Sequence, residues 1–72
     1  MKNSLVNIEY VIEDIKNKKF LDDYNCLTKS LIKAAKFENI EVAEKHIRDI
    51  GIVYLYKVTK VMFTTIIETV EE

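Results

Sequence analysis

Leu5, Ile8, Val11, Ile12 and Ile15 recur at intervals of three and four, which gathers them on one face of a helix. Ser4 is placed to cap its start, and Lys16, Lys18 and Lys19 sit where the helix dipole favours cations, so the spacing predicts a helix over 4–19. A second stripe of Phe20, Tyr24, Leu27, Leu31 and Ala34 follows Asp22 and Asp23, either of which can cap it. It predicts a helix over 22–37. Ile40, Ala43, Ile47 and Ile50 form a third seam over 40–50, with Asn39 as the cap and Gly51 where a left-handed residue closes a helix.

The last segment reads in two ways. Its IVYLYKV stretch is rich in β-branched and aromatic residues, which taken alone describes a strand over 52–58 and an α+β fold. As a helix over 53–70 it would gather Leu55, Met62, Phe63, Ile66 and Val70 on one broad face, with Lys57, Lys60, Thr64 and Glu68 opposite. The chain contains no Pro and a single Gly, so hairpin turns lack their usual residues, and the helix is preferred. The expected fold is therefore all-α: one domain over residues 1–72, a small three- or four-helix bundle.

Size changes what such a bundle needs. A chain of 72 residues buries only about 60% of the surface that its unfolded form exposes. Small domains are usually reinforced by a disulfide, a metal or a partner chain. Cys26 is the only cysteine and His46 the only histidine, so neither an internal disulfide nor a Cys/His zinc site can be built within one chain. With 49% apolar residues, a homo-oligomer is the expected solution. Leu55, Met62, Phe63, Ile66 and Val70 are the candidate self-association interface. Val6 and Tyr10, off the first stripe and four residues apart, are the candidate surface for a second protein.

The charge is nearly balanced, eleven basic against twelve acidic residues, with a pI near 5.8. Residues 1–36 carry seven lysines and five acids, a balance of +2; residues 37–72 carry four bases and seven acids, a balance of −3. Lys29, Lys33 and Lys36 form the candidate anion contacts. A nucleic-acid partner is nonetheless disfavoured, because the helix that would enter a groove carries Glu41, Glu44 and Asp49. Lys57 and Lys60 beside Tyr54 and Tyr56 offer an alternative, an anionic small molecule held where chains meet.

Neither a signal peptide nor a membrane span is expected. Lys57 and Lys60 fall in the middle of the most apolar stretch. A lone cysteine suits the reducing cytoplasm. His46 lacks the Glu-x-x-His spacing of a di-iron site, Cys26 lacks a histidine partner, and Glu13–Asp14 and Asp22–Asp23 read as solvated or capping charges. No catalytic residue, cofactor or metal is assigned. The functional expectation is a non-catalytic, protein-binding regulator or adaptor.

Overall fold

A computed structural model describes the backbone of residues 2–51 and 53–68, and the side chains of 4–51 and 54–66. Its elements run β1 (Lys2–Asp14), β2 (Lys19–Leu21), β3 (Leu27–Thr28), α1 (Ile40–Ile50), a 3-10 turn (Val53–Leu55) and β4 (Tyr56–Glu68). The strands form an antiparallel sheet in the order β3-β2-β1-β4.

The all-α expectation is thus overturned. Of the four helices, only 40–50 forms. Residues 4–19 and 53–68 are instead dominated by the two long strands, and 22–37 is turns, the short β3 and an irregular return segment. The strand alternative over 52–58 started too early and stopped too soon, since β4 begins at Tyr56 and runs to Glu68.

The physical reason lies in which faces of β1 are apolar. Its even-numbered side chains include Val6, Ile8, Tyr10 and Ile12, while Leu5 and Val11 point to the other face. Leu5, Ile8, Val11 and Ile12 thus come from both faces of one strand. Superposed, the two faces mimic a helical repeat. What stabilises the extended form is pairing along the whole length: β1 and β4 match residue for residue from Lys2↔Glu68 to Asp14↔Tyr56. Cross-strand packing of β-branched and aromatic side chains then replaces helix formation.

Turns without glycine are closed by side-chain chemistry. Asp14 accepts the Asn17 N–H at 2.8 Å while its own carbonyl accepts from Lys18, which takes the left-handed φ of 55°. Asp22 does not cap a helix. Its carboxylate accepts the N–H groups of Tyr24 at 2.8 Å and Cys26 at 2.9 Å, with Asn25 left-handed at φ 60°. Asp and Asn serve both helix starts and such turns, which is why the same residues suggested a helix.

In α1, Asn39 Oδ1 accepts from Val42 N–H at 2.9 Å, and Gly51 at φ 97° donates its N–H to Ile47 O. These are the N-cap and left-handed closure that the spacing predicts. Ala43 and Ile47 on its inner side pack with Ile12 and Leu21, and Tyr10, Phe37, Ile50, Tyr56 and Val58 complete this core. No helix among the described residues is long and apolar enough to cross a membrane.

Candidate functional site: an uncovered ribbon and an adjoining groove

Beyond Tyr10 the fold changes character. Tyr10 exchanges backbone hydrogen bonds with Phe37, at 3.0 and 2.8 Å, which is the last pairing on that side of β1. Residues 2–9 pair only with β4 and extend as a two-stranded ribbon, giving the molecule dimensions of 55 × 22 × 18 Å.

Strand alternation places Val6, Ile8 and Tyr10 on the same face as Lys60, Met62, Thr64 and Ile66. Register sets Ile8 opposite Met62 and Ser4 opposite Ile66. α1 covers this face only at the base, over Ile12 and Val58. Further out, Val6, Ile8, Met62 and Ile66 are 48–68% exposed, as is Leu5 on the reverse face at 54%. The structure therefore brings together two groups that the sequence kept apart, Met62 and Ile66 with Val6 and Tyr10, and adds Ile8.

Other candidates separate. Phe63 faces the reverse side, where the Lys36 ammonium lies 5.5 Å from its ring centroid. Leu55 is half-buried in the 3-10 turn at the base, and Val70 lies outside the described residues. Lys36 Nζ donates to the carbonyls of Leu31, Ile32 and Ala34 at 2.8–3.0 Å, so its charge closes the return segment. Lys29 and Lys33 are exposed in the same irregular stretch, and no helical stripe of three lysines exists.

A groove of about 610 Å³ opens between α1 and β4 where the ribbon begins. Tyr10, Ile47 and Val58 contribute its apolar lining, and Arg48, Lys57, Lys60 and Glu44 its charges. No ion pair is formed by those three cations among the described residues; the single ion pair found there is Lys45–Asp49, at 3.7 Å on the exposed side of α1. Tyr56 joins Lys57 and Lys60 in the lining, whereas Tyr54 is exposed elsewhere. Arg48 and Ile47 lie on the helix over 40–50, but Tyr10 lies on a segment whose spacing predicts a helix and which pairs as a strand with β4, so the three do not read as one site in the sequence. The available signal was the two-residue alternation Val6, Ile8, Tyr10, Ile12.

Groups capable of chemistry are dispersed. His46 Nε2 donates to Asn25 Oδ1 at 2.7 Å and its ring leans on Phe37, tying α1 to the β2–β3 turn. Cys26 is an exposed free thiol in that turn, its Sγ 3.8 Å from the Tyr24 carbonyl. Glu13 accepts the Thr59 hydroxyl at 3.1 Å. Among the described residues, no three His, Cys, Asp or Glu side chains converge as a metal site. No family model, curated protein or solved structure matches the chain.

Proposed function

We propose that this chain is a small, non-catalytic protein-binding regulator or adaptor that works as a homo-oligomer, with the β1/β4 ribbon as its association surface. The observation that carries the reading is the ribbon itself. A two-stranded ribbon is marginal in water on its own, and this one exposes Leu5, Val6, Ile8, Met62 and Ile66 with no covering layer. A second chain joined to the ribbon takes part of that surface out of water. An ordinary interface would bury about 1,200–2,000 Å² in total. A cytoplasmic setting suits the exposed, unpaired thiol of Cys26.

Sedimentation equilibrium at tens of micromolar tests it. The wild-type chain is expected to sediment as a dimer or larger, and Met62→Lys to shift it to monomer while circular dichroism stays sheet-like. A wild-type monomer overturns the reading.

One observation favours a second reading, small-molecule sequestration: an apolar groove rimmed by Arg48, Lys57 and Lys60 matches an amphipathic organic anion. Titration with laurate, followed by displacement of a fluorescent naphthalene sulfonate, would then saturate, and Arg48→Ala with Lys60→Ala would weaken binding at least tenfold. Non-saturable binding unaffected by these substitutions removes this second reading.

A further inference from the structure

The hydrogen-bond pattern of β1 fixes which backbone groups of β4 lack a strand partner. Ile15 N–H bonds Leu55 O at 2.9 Å in continuation of the β1/β4 register, while Tyr10 directs its N–H and C=O away from β4 to Phe37. Odd-numbered residues of β1 therefore bond odd-numbered residues of β4. At Lys60, Met62, Thr64, Ile66 and Glu68 the backbone N–H and C=O point outward, from the strand that forms the sheet edge. Such a row is a template for another strand. Between Lys60 and Glu68 the usual defences of an edge are missing: this stretch of β4 contains no Pro and no charged residue, and pairs with β1 without a bulge.

We propose that β4 pairs antiparallel with β4 of a second copy about a two-fold axis at Thr64. The inference rests on the self-association reading and names the edge and register by which it occurs. Self-complementarity selects the axis. Centred on Thr64, Lys60 stands opposite Glu68, Met62 opposite Ile66 and Thr64 opposite itself, so a basic position faces an acidic one, an apolar residue faces an apolar one and threonine faces threonine. Centred on Lys60, two lysines oppose each other. Centred on Val61 or Phe63, Lys60 opposes Met62 or Ile66; centred on Met62, Lys60 opposes Thr64 and Tyr56 opposes Glu68. The Thr64 register joins two ribbons into one four-stranded sheet and leaves Tyr56 and Val58 outside the pairing, with Lys60 at the point where the pairing meets the groove.

Engineered disulfides read the register directly. In a full-length Cys26→Ser background, Thr64→Cys places two sulfhydryls on strands whose Cα atoms are about 5.5 Å apart, within disulfide reach. Met62→Cys places them four positions out of register, about 14 Å apart. Mild oxidation is expected to convert most of the Thr64→Cys protein to a linked dimer on a non-reducing gel, and at least tenfold less of the Met62→Cys protein. The double variant Met62→Cys/Ile66→Cys restores cross-linking. Faster linkage through Met62→Cys alone, or no linkage through Thr64→Cys in a protein that sediments as a dimer, overturns the edge register while leaving self-association standing. A monomer by sedimentation overturns both.

Discussion

The base of the molecule and its ribbon share the same two strands, yet they are stabilised differently. At the base, Ile12 is fully buried between the sheet and α1, and Val11, on the opposite face, is fully buried too. Four register positions further along β1, Ile8 is half exposed, and nothing among the described residues packs over Met62 or Ile66. Hydrogen-bonded pairing with β4 is uninterrupted across both regions. Pairing alone thus holds strand geometry, while layering decides where the stabilisation accumulates. Apolar burial, at roughly 25 cal/mol per Å², is concentrated in the base. The ribbon leaves the equivalent surface in water.

The sharpest way to break this contrast is truncation in each region. Ile12→Ala should cost about 2–5 kcal/mol, because the methyl groups removed leave a hole in a close-packed cluster. In thermal melts that is a fall of at least about eight degrees for a domain of this size, by about 4–8 °C per kcal/mol. Val6→Ala, measured at dilution where the chain is monomeric, should cost less than about 1 kcal/mol because its site is already half in water. Equal losses at the two sites would show that the ribbon is buried in the free chain and remove the contrast.

Charge insertion probes the ribbon from the other side. Ile66→Lys should lower oligomer affinity at least a hundredfold by desolvating an unpaired ammonium at the contact, while the melt of the dilute monomer changes little. Normal assembly of that variant would move the interface elsewhere. Hydrogen exchange sharpens the same point. The outward amides of Met62, Thr64 and Ile66 should exchange rapidly at dilution and gain protection at high concentration, whereas the Val11 amide stays protected throughout.

Smaller effects belong to the ends of α1, which fasten it over the base. Asn39→Ala removes the acceptor for the Val42 N–H and should cost about 1 kcal/mol by chemical denaturation. Gly51→Ala meets no atom within 4 Å, so its cost, also about 1 kcal/mol, is that of the left-handed backbone alone. A cost above about 3 kcal/mol would mean that the position is crowded. Lys29→Glu, on an exposed side chain of the irregular stretch, should stay within about 0.5 kcal/mol.

Legibility followed the range of the interactions involved. α1 could be read from its residues because its cap, its closing glycine and its seam of Ile40, Ala43, Ile47 and Ile50 all lie within a dozen positions. β1 and β4 were misread for the opposite reason. Their partner lies more than 40 residues away, and no local signal reports that Ile8 will stand beside Met62 or Val6 beside Thr64. The candidate surface was half legible in consequence. Met62, Ile66, Val6 and Tyr10 were recognisable as apolar residues in excess of what a short chain can bury, but their common face was not. Phe63 shows the limit from the other side, since it adjoins Met62 in sequence and points away from it in the sheet.

By itself, then, the sequence determined the local matters: the helix over Ile40–Ile50 with its two ends, the excess of apolar surface, the near-neutral charge, and a chain with one thiol and one imidazole. Asp14 and Asp22 held the turn chemistry too, although the same carboxylates serve helix starts equally well. Only the tertiary structure decided that the two most apolar segments are strands, that each presents apolar residues on two faces, and that α1 covers one face for part of its length. The reason is physical: a helix satisfies its backbone within itself, whereas a strand must find its hydrogen-bond partners elsewhere in the chain, and whether they exist is a property of the whole fold.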